Sequence, residues 1–248
     1  MKKFLILIVT LFFTCSAFAQ DFNVYKLDNG QTVVIKEVKT NPIVTIDTWI
    51  KTGSINENDQ NNGVSHFLEH LFFKGSKNHA PGEFDKILET KGALTNAATS
   101  KDFTHYYITI PSKDFDLALE MHADMLLHPL IPRKELEKER KVVIEEIMKD
   151  ANSPNTLVYD NLIKMLYKNH PYKRKVIGTI HRDQILDYYN KYYNPSNMVT
   201  IIVGDVDSAS ALEKVKYDFN AEYRKPVKNI YPQDKPLTSQ AKTTIYSD

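Results

Sequence analysis

Apolar and polar positions recur with clear periods along most of the chain, and the period changes from element to element. Phe22 to Leu27 and Thr32 to Glu37 read as strands around Asp28-Asn29-Gly30, whose Asn-Gly step is a hairpin signal. Pro42 to Lys51 reads as a third strand, rich in β-branched residues. Asn61 to Phe73 has a helical period. Pro81 to Thr90 reads as a second helix, with Pro81 in the first turn and Gly92 past its end. Leu94 to Ala98 and Phe103 to Ile110 return to strand. Ser112 is placed to cap a helix that runs to Leu127, before Pro129. Pro132 opens a long charged helix to about Asp150, and Asn155 to Lys168 and Arg182 to Tyr193 give two more. Met198 to Val203 is an apolar strand, and Ser208 to Phe219 a last helix. Strands come first, then mainly helices, then one strand and one helix. That order predicts an α+β fold, a mainly antiparallel sheet packed against helices on one face.

The two ends depart from these patterns. Residues 1–19 read as a signal peptide: Lys2 and Lys3, an apolar run from Phe4 to Phe13, and Ala17-Phe18-Ala19 as the exit. The run is short for a membrane span, which needs about 20 residues, so no transmembrane segment is expected after cleavage. Export to the periplasm or the medium follows. Bulky Phe12-Phe13-Thr14 before Cys15 argues against a lipid anchor there. From Tyr223 to Asp248 the chain turns polar and proline-bearing, as a linker leaving a domain does. Residues 20–222 are then one domain.

Composition narrows the chemistry. The 248 residues carry 32 Lys+Arg against 31 Asp+Glu, a formal net charge of +1, which gives no basic excess for nucleic acid. A hydrophobic fraction of 42% suits a globular core. The single Cys, in the signal segment, leaves no disulfide and no thiolate metal site, so any metal must be held by nitrogen and oxygen.

His66-Phe67-Leu68-Glu69-His70 is where such a site would form. Residues four apart share a helix face, so both imidazoles can aim at one ion. Glu69 lies beside that face, able to reach a bound water and take its proton without being a ligand. The order is H-x-x-E-H, the inverse of the commoner H-E-x-x-H. Two histidines need a third protein ligand, and the charged helix offers Glu139, Glu145 and Glu146. Val142, Val143, Ile144 and Ile147 mark its inner face. Glu139 and Glu146 are seven apart and share a face, while Glu145 points about 100° away from Glu146. The pattern leaves Glu145 and Glu146 both open.

His66 to His70, with Glu139-Arg140-x-Val-Val-Ile-x-Glu146, resembles the M16 zinc metallopeptidases, the pitrilysin, insulinase and mitochondrial-processing-peptidase family. The resemblance extends to Gly63 through Gly75, to Gly92 through Tyr107 with Asn96-Ala97 and Thr99, to His170-Pro-Tyr, to Ile177-Gly178-Thr, and to Tyr193 through Asp205. It implies one zinc ion per chain, held by His66, His70 and Glu146, with Glu69 as general base. It implies that Glu139 orients a ligating histidine through its other ring nitrogen. It makes the strand around Asn96, Ala97 and Thr99 the edge that pairs with an extended peptide substrate. It also implies a second homologous half, on the same or another chain, supplying an Arg and a Tyr that have no assigned counterpart here. The expected activity is zinc-dependent endoproteolysis. The alternative is a non-catalytic zinc-binding or assembly subunit of the same fold. The remaining histidines are expected to be structural, with His122 and His128 partly charged near a helix end. Trp49 is expected in the core, and the Tyr188 to Tyr193 cluster is expected to divide between core and helix surface.

Overall fold

The computed structural model describes residues 22–151, 153–167, 178–221 and 223–225, with 242 and 244. The predicted signal peptide, His170-Pro-Tyr, Ile177 and most of the predicted linker lie outside these residues.

Six strands form one sheet: β1 (Asn23–Lys26), β2 (Thr32–Glu37), β3 (Ile43–Ile50), β4 (Leu94–Thr99), β5 (Thr104–Pro111) and β6 (Met198–Gly204), in the spatial order β1-β2-β6-β3-β5-β4. Every neighbouring pair is antiparallel except β2 with β6. The β1–β2 hairpin turns at Asp28-Asn29-Gly30 as the Asn-Gly step predicts. The late strand β6 inserts between β2 and β3, a placement that local sequence cannot show. Among the described residues β4 is an edge strand, paired only with β5.

The helices are α1 (Val64–Phe72), α2 (Glu83–Thr90), α3 (Phe115–Leu127), α4 (Arg133–Ala151), α5 (Pro154–Leu166), α6 (Arg182–Tyr192) and α7 (Ser208–Asp218). They bury one face of the sheet, where Val44, Ile46, Thr48 and Ile50 of β3 alternate with half-exposed Thr45, Asp47 and Trp49. Alternate strand residues must point to opposite faces, so this parity fixes the layers. Trp49 is therefore not a core residue. It lies on the open face, stacked on His105 at 4.4 Å, and its indole N–H donates to Asp47 at 2.8 Å. Pro81 also differs from expectation, standing before the helix, with Gly82 as N-cap of α2. Ser112 opens a short 3-10 turn, Ser112–Asp114, that leads into α3. On α4, Val143 is buried but Val142 is exposed, so the inner face is narrower than the apolar run suggests. The tyrosine cluster lies wholly in the core rather than partly on the helix surface, with Tyr188, Tyr189, Tyr192 and Tyr193 all buried.

A buried polar chain crosses the inner face of the sheet. Gln31 Nε2 donates to Thr200 Oγ1 at 2.8 Å, Thr200 pairs with Thr48 at 2.8 Å, and Thr48 meets His122 Nε2 at 3.0 Å. His122 is fully buried on α3, not a charged residue at a helix end, and burial pushes its pKa down to about 3. The cost of desolvating an imidazolium is enough to keep it neutral. Among the described residues no helix is long and apolar enough to cross a membrane.

Candidate metal centre

Helix α1 lies between the sheet edge and α4. Its inner positions Val64, Phe67, Leu68, Leu71 and Phe72 are buried, which turns His66, Glu69 and His70 towards β4 and α4. The i, i+4 spacing then brings the two imidazoles side by side, with Nε2 atoms 3.3 Å apart. α4 crosses above them and lowers Glu146 onto the pair. Glu146 Oε2 is 3.6 Å from His66 Nε2 and 3.4 Å from His70 Nε2. This geometry singles out Glu146 rather than Glu145 as the third member of the cluster.

The donor set fits a zinc ion. Zinc bonds of about 2.0–2.1 Å in a tetrahedron place ligand atoms roughly 3.3 Å apart. The three separations lie at or slightly above that value, and among the described residues His66, His70 and Glu146 form a group whose ligand atoms all fall within 4.8 Å of one another. Two nitrogens and one oxygen also suit zinc better than magnesium or calcium, which prefer oxygen alone.

Surrounding groups hold His70 and the neighbouring Glu69 in place. Glu139 Oε2 is 3.3 Å from His70 Nδ1, and Glu139 Oε1 pairs with Lys74 Nζ at 3.0 Å. A carboxylate on Nδ1 keeps the proton there and leaves Nε2 free to bind a cation. Glu69 accepts a hydrogen bond from Thr99 Oγ1 on β4. Burial raises the Glu69 pKa, against the opposing pull of the Thr99 bond and the nearby His70. The three residues predicted to meet substrate divide between faces of the edge strand. Ala97 and Thr99 are half-buried on the α1 side, and Asn96 is exposed on the other, where its Oδ1 accepts from Ala97 N–H at 2.8 Å. A cleft of about 590 Å3 opens beside His66, Thr99 and Glu146, continuing to Lys101, Lys149 and Tyr159.

One residue at the centre escaped the sequence reading. Glu57 is buried, and its carboxylate accepts from the N–H groups of Gly63 at 2.7 Å and Ser65 at 3.0 Å, and from Asn62 Nδ2 at 3.2 Å. It caps α1 from six residues upstream. The available signal was Gly63 itself, an N-cap position with no side chain to accept these donors.

Comparison with known proteins gives the chain's family. Residues 32–180 match the family model described as Insulinase (Peptidase family M16), and residues 179–247 match the one described as Peptidase M16 inactive domain. An uncharacterized zinc protease of Bacillus subtilis, YmxG, is 35% identical over 75% of this chain and 47% of its own length. The crystal structure of a protease from Helicobacter pylori superposes with a TM-score of 0.79 at 33% identity, over 87% of this chain and 54% of that one. The first half of the periplasmic protease PqqL from Escherichia coli gives a TM-score of 0.77 at 26% identity, over 87% of this chain and 49% of that one. The chain thus spans about half the length of these relatives. With the motif, the fold and the matched residues in agreement, the chain belongs to the M16, or insulinase, peptidase family.

Proposed function

We propose that the chain is the metal-binding half of a zinc-dependent endopeptidase that hydrolyses extended peptides or unfolded protein segments. The observation that carries this reading is the convergence of His66, His70 and Glu146 beside Glu69, a carboxylate held in place but outside the ligand cluster. Zinc bound by the three would acidify a coordinated water and polarise a peptide carbonyl. Glu69 would take the proton from the attacking water and return it to the leaving amine nitrogen. Glu139 would hold His70 by its Nδ1 proton, and Thr99 would aim Glu69. The free edge of β4, with Asn96 and Ala97, would hold the peptide by main-chain hydrogen bonds.

A second homologous half, on the same or another chain, would complete the substrate chamber, and without it cleavage would be slow. The protein would work after export, in the periplasm or outside the cell, as its structural relative PqqL is a periplasmic protease. The alternative role, a non-catalytic assembly subunit, gives Glu69 no chemical task. Zinc analysis of the purified chain should give about one ion per chain, lost in His70→Ala. With the second half supplied, hydrolysis of a quenched peptide should vanish in Glu69→Gln. A metal-free wild type, or full activity in Glu69→Gln, would overturn the proposal.

A further inference from the structure

The two candidate histidines sit at opposite ends of α1. His66 is its third residue, in the first turn, and His70 lies in the last turn, where Glu139 Oε2 stands 3.3 Å from its Nδ1. Unpaired N–H groups at a helix start must be satisfied or the turn opens. The N-cap of α1 is Gly63, at φ 94°, and it makes no side-chain cap bond. The donors of Gly63 and Ser65 turn instead to the two carboxylate oxygens of Glu57, Gly63 to Oε2 and Ser65 to Oε1. The negative charge also sits at the positive end of the helix dipole.

Glu57 is itself anchored. It follows the 3-10 turn Ser54–Asn56, whose Ile55 N–H donates to Lys101 O at 2.9 Å in the β4–β5 turn. A methyl group at Gly53 would lie 2.4 Å from Ser100 O, so this segment is pressed against that turn. The segment therefore touches the edge strand's end on one side and the start of the metal helix on the other.

We propose that Glu57 is a positioning residue for metal binding: its carboxylate fixes the first turn of α1 and thereby holds His66 in register with His70 and Glu146. This rests on the zinc reading above. Glutamine at this position is nearly isosteric but offers one acceptor oxygen in place of two. It must abandon either the Ser65 N–H or the Gly63 and Asn62 donors.

The test is zinc affinity of the full chain, measured by chelator competition for wild type, Glu57→Gln and Val215→Ala. The last removes core packing on α7, away from the site, and controls for general loss of stability. Zinc should bind about tenfold more weakly to Glu57→Gln, the scale seen when a ligand's support is removed. Val215→Ala should bind as wild type does. Hydrogen exchange at the amides of residues 64–66 should accelerate in metal-free Glu57→Gln and not in Val215→Ala. Should Glu57→Gln fail to fold, Glu57→Asp, one methylene short of the same donors, carries the same expectation. Unchanged affinity and exchange in the folded Glu57 variant, or an equal loss in Val215→Ala, would overturn the inference alone. A wild type that binds no zinc would overturn the metal reading, and the inference with it.

Discussion

Thr99 on the edge strand donates to Glu69 on the metal helix, so one side-chain contact joins the strand that would bind a peptide to the carboxylate beside the candidate ligands. Hydrogen bonds to a charged group contribute about 1.5–3 kcal/mol. Thr99→Val keeps the shape and removes the donor. With the second half supplied, its kcat should fall by roughly 10- to 100-fold, which is that energy expressed as a rate. Zinc content should stay at the wild-type level, and Thr99→Ser should recover most of the rate. Equal rates in wild type and Thr99→Val would show that Glu69 needs no such aim.

Glu139 is expected to act through His70 rather than on substrate. Its two oxygens are divided between His70 Nδ1 and Lys74 Nζ. Glu139→Gln removes the charge that raises the basicity of His70 and leaves Lys74 facing a neutral amide. Zinc affinity should drop about 10- to 100-fold. Chelator competition measures it, and an affinity within twofold of wild type would count against the assignment.

Tyr188 reaches from α6 to the same end of α1. Its buried hydroxyl lies 2.6 Å from Thr52 Oγ1, 2.8 Å from Ser65 Oγ and 3.1 Å from Gly53 O. Tyr188→Phe keeps the ring and strips all three contacts at once. Leaving buried polar groups without partners costs about 1–3 kcal/mol. Denaturant unfolding should show a loss in that range with an unchanged m-value. A midpoint identical to wild type would mean that water or a neighbour takes over these groups.

Much of this fold was legible because most elements obey one period each. The strands β1 to β6 and the seven helices lie within a few residues of the positions their patterns predict. The His66–His70 pair was legible for the same reason, since spacing on one helix needs no tertiary information. Choosing Glu146 over Glu145 did need it, because the crossing of α4 over α1 decides which carboxylate descends. Trp49 was misplaced although the signal was present: Ile46, Thr48 and Ile50 set the inward parity of β3, and Trp49 has the opposite parity. His122 was misread because a helix end suggests solvent, while α3 packs against both the sheet and α7. Glu57 was missed because its partners are set by a loop whose path back to α1 no local pattern encodes.

His122 gives the fold one contribution to stability that acid removes. The imidazole is fully buried, pairs through Nε2 with Thr48, and its Nδ1 has no hydrogen-bond partner among the described residues. Its pKa is held down at about 3 in the folded chain, against an ordinary value of 6.5. The folded state therefore binds the proton less readily than the unfolded state does. Its contribution is fully present above pH 6.5 and is lost as pH falls from there towards 3. At about 1.36 kcal/mol per pH unit, the loss from this group reaches roughly 2 kcal/mol at pH 5. His122→Gln removes the titration while leaving a polar partner for Thr48. The variant should be somewhat less stable than wild type at pH 7.5, where the native packing is complete. Between pH 7.5 and pH 5 the wild type should lose roughly 2 kcal/mol more than the variant, so the two stabilities converge. Urea unfolding at pH 7.5, 6 and 5 measures this, and parallel lines for the two proteins would show that His122 is not the group that titrates.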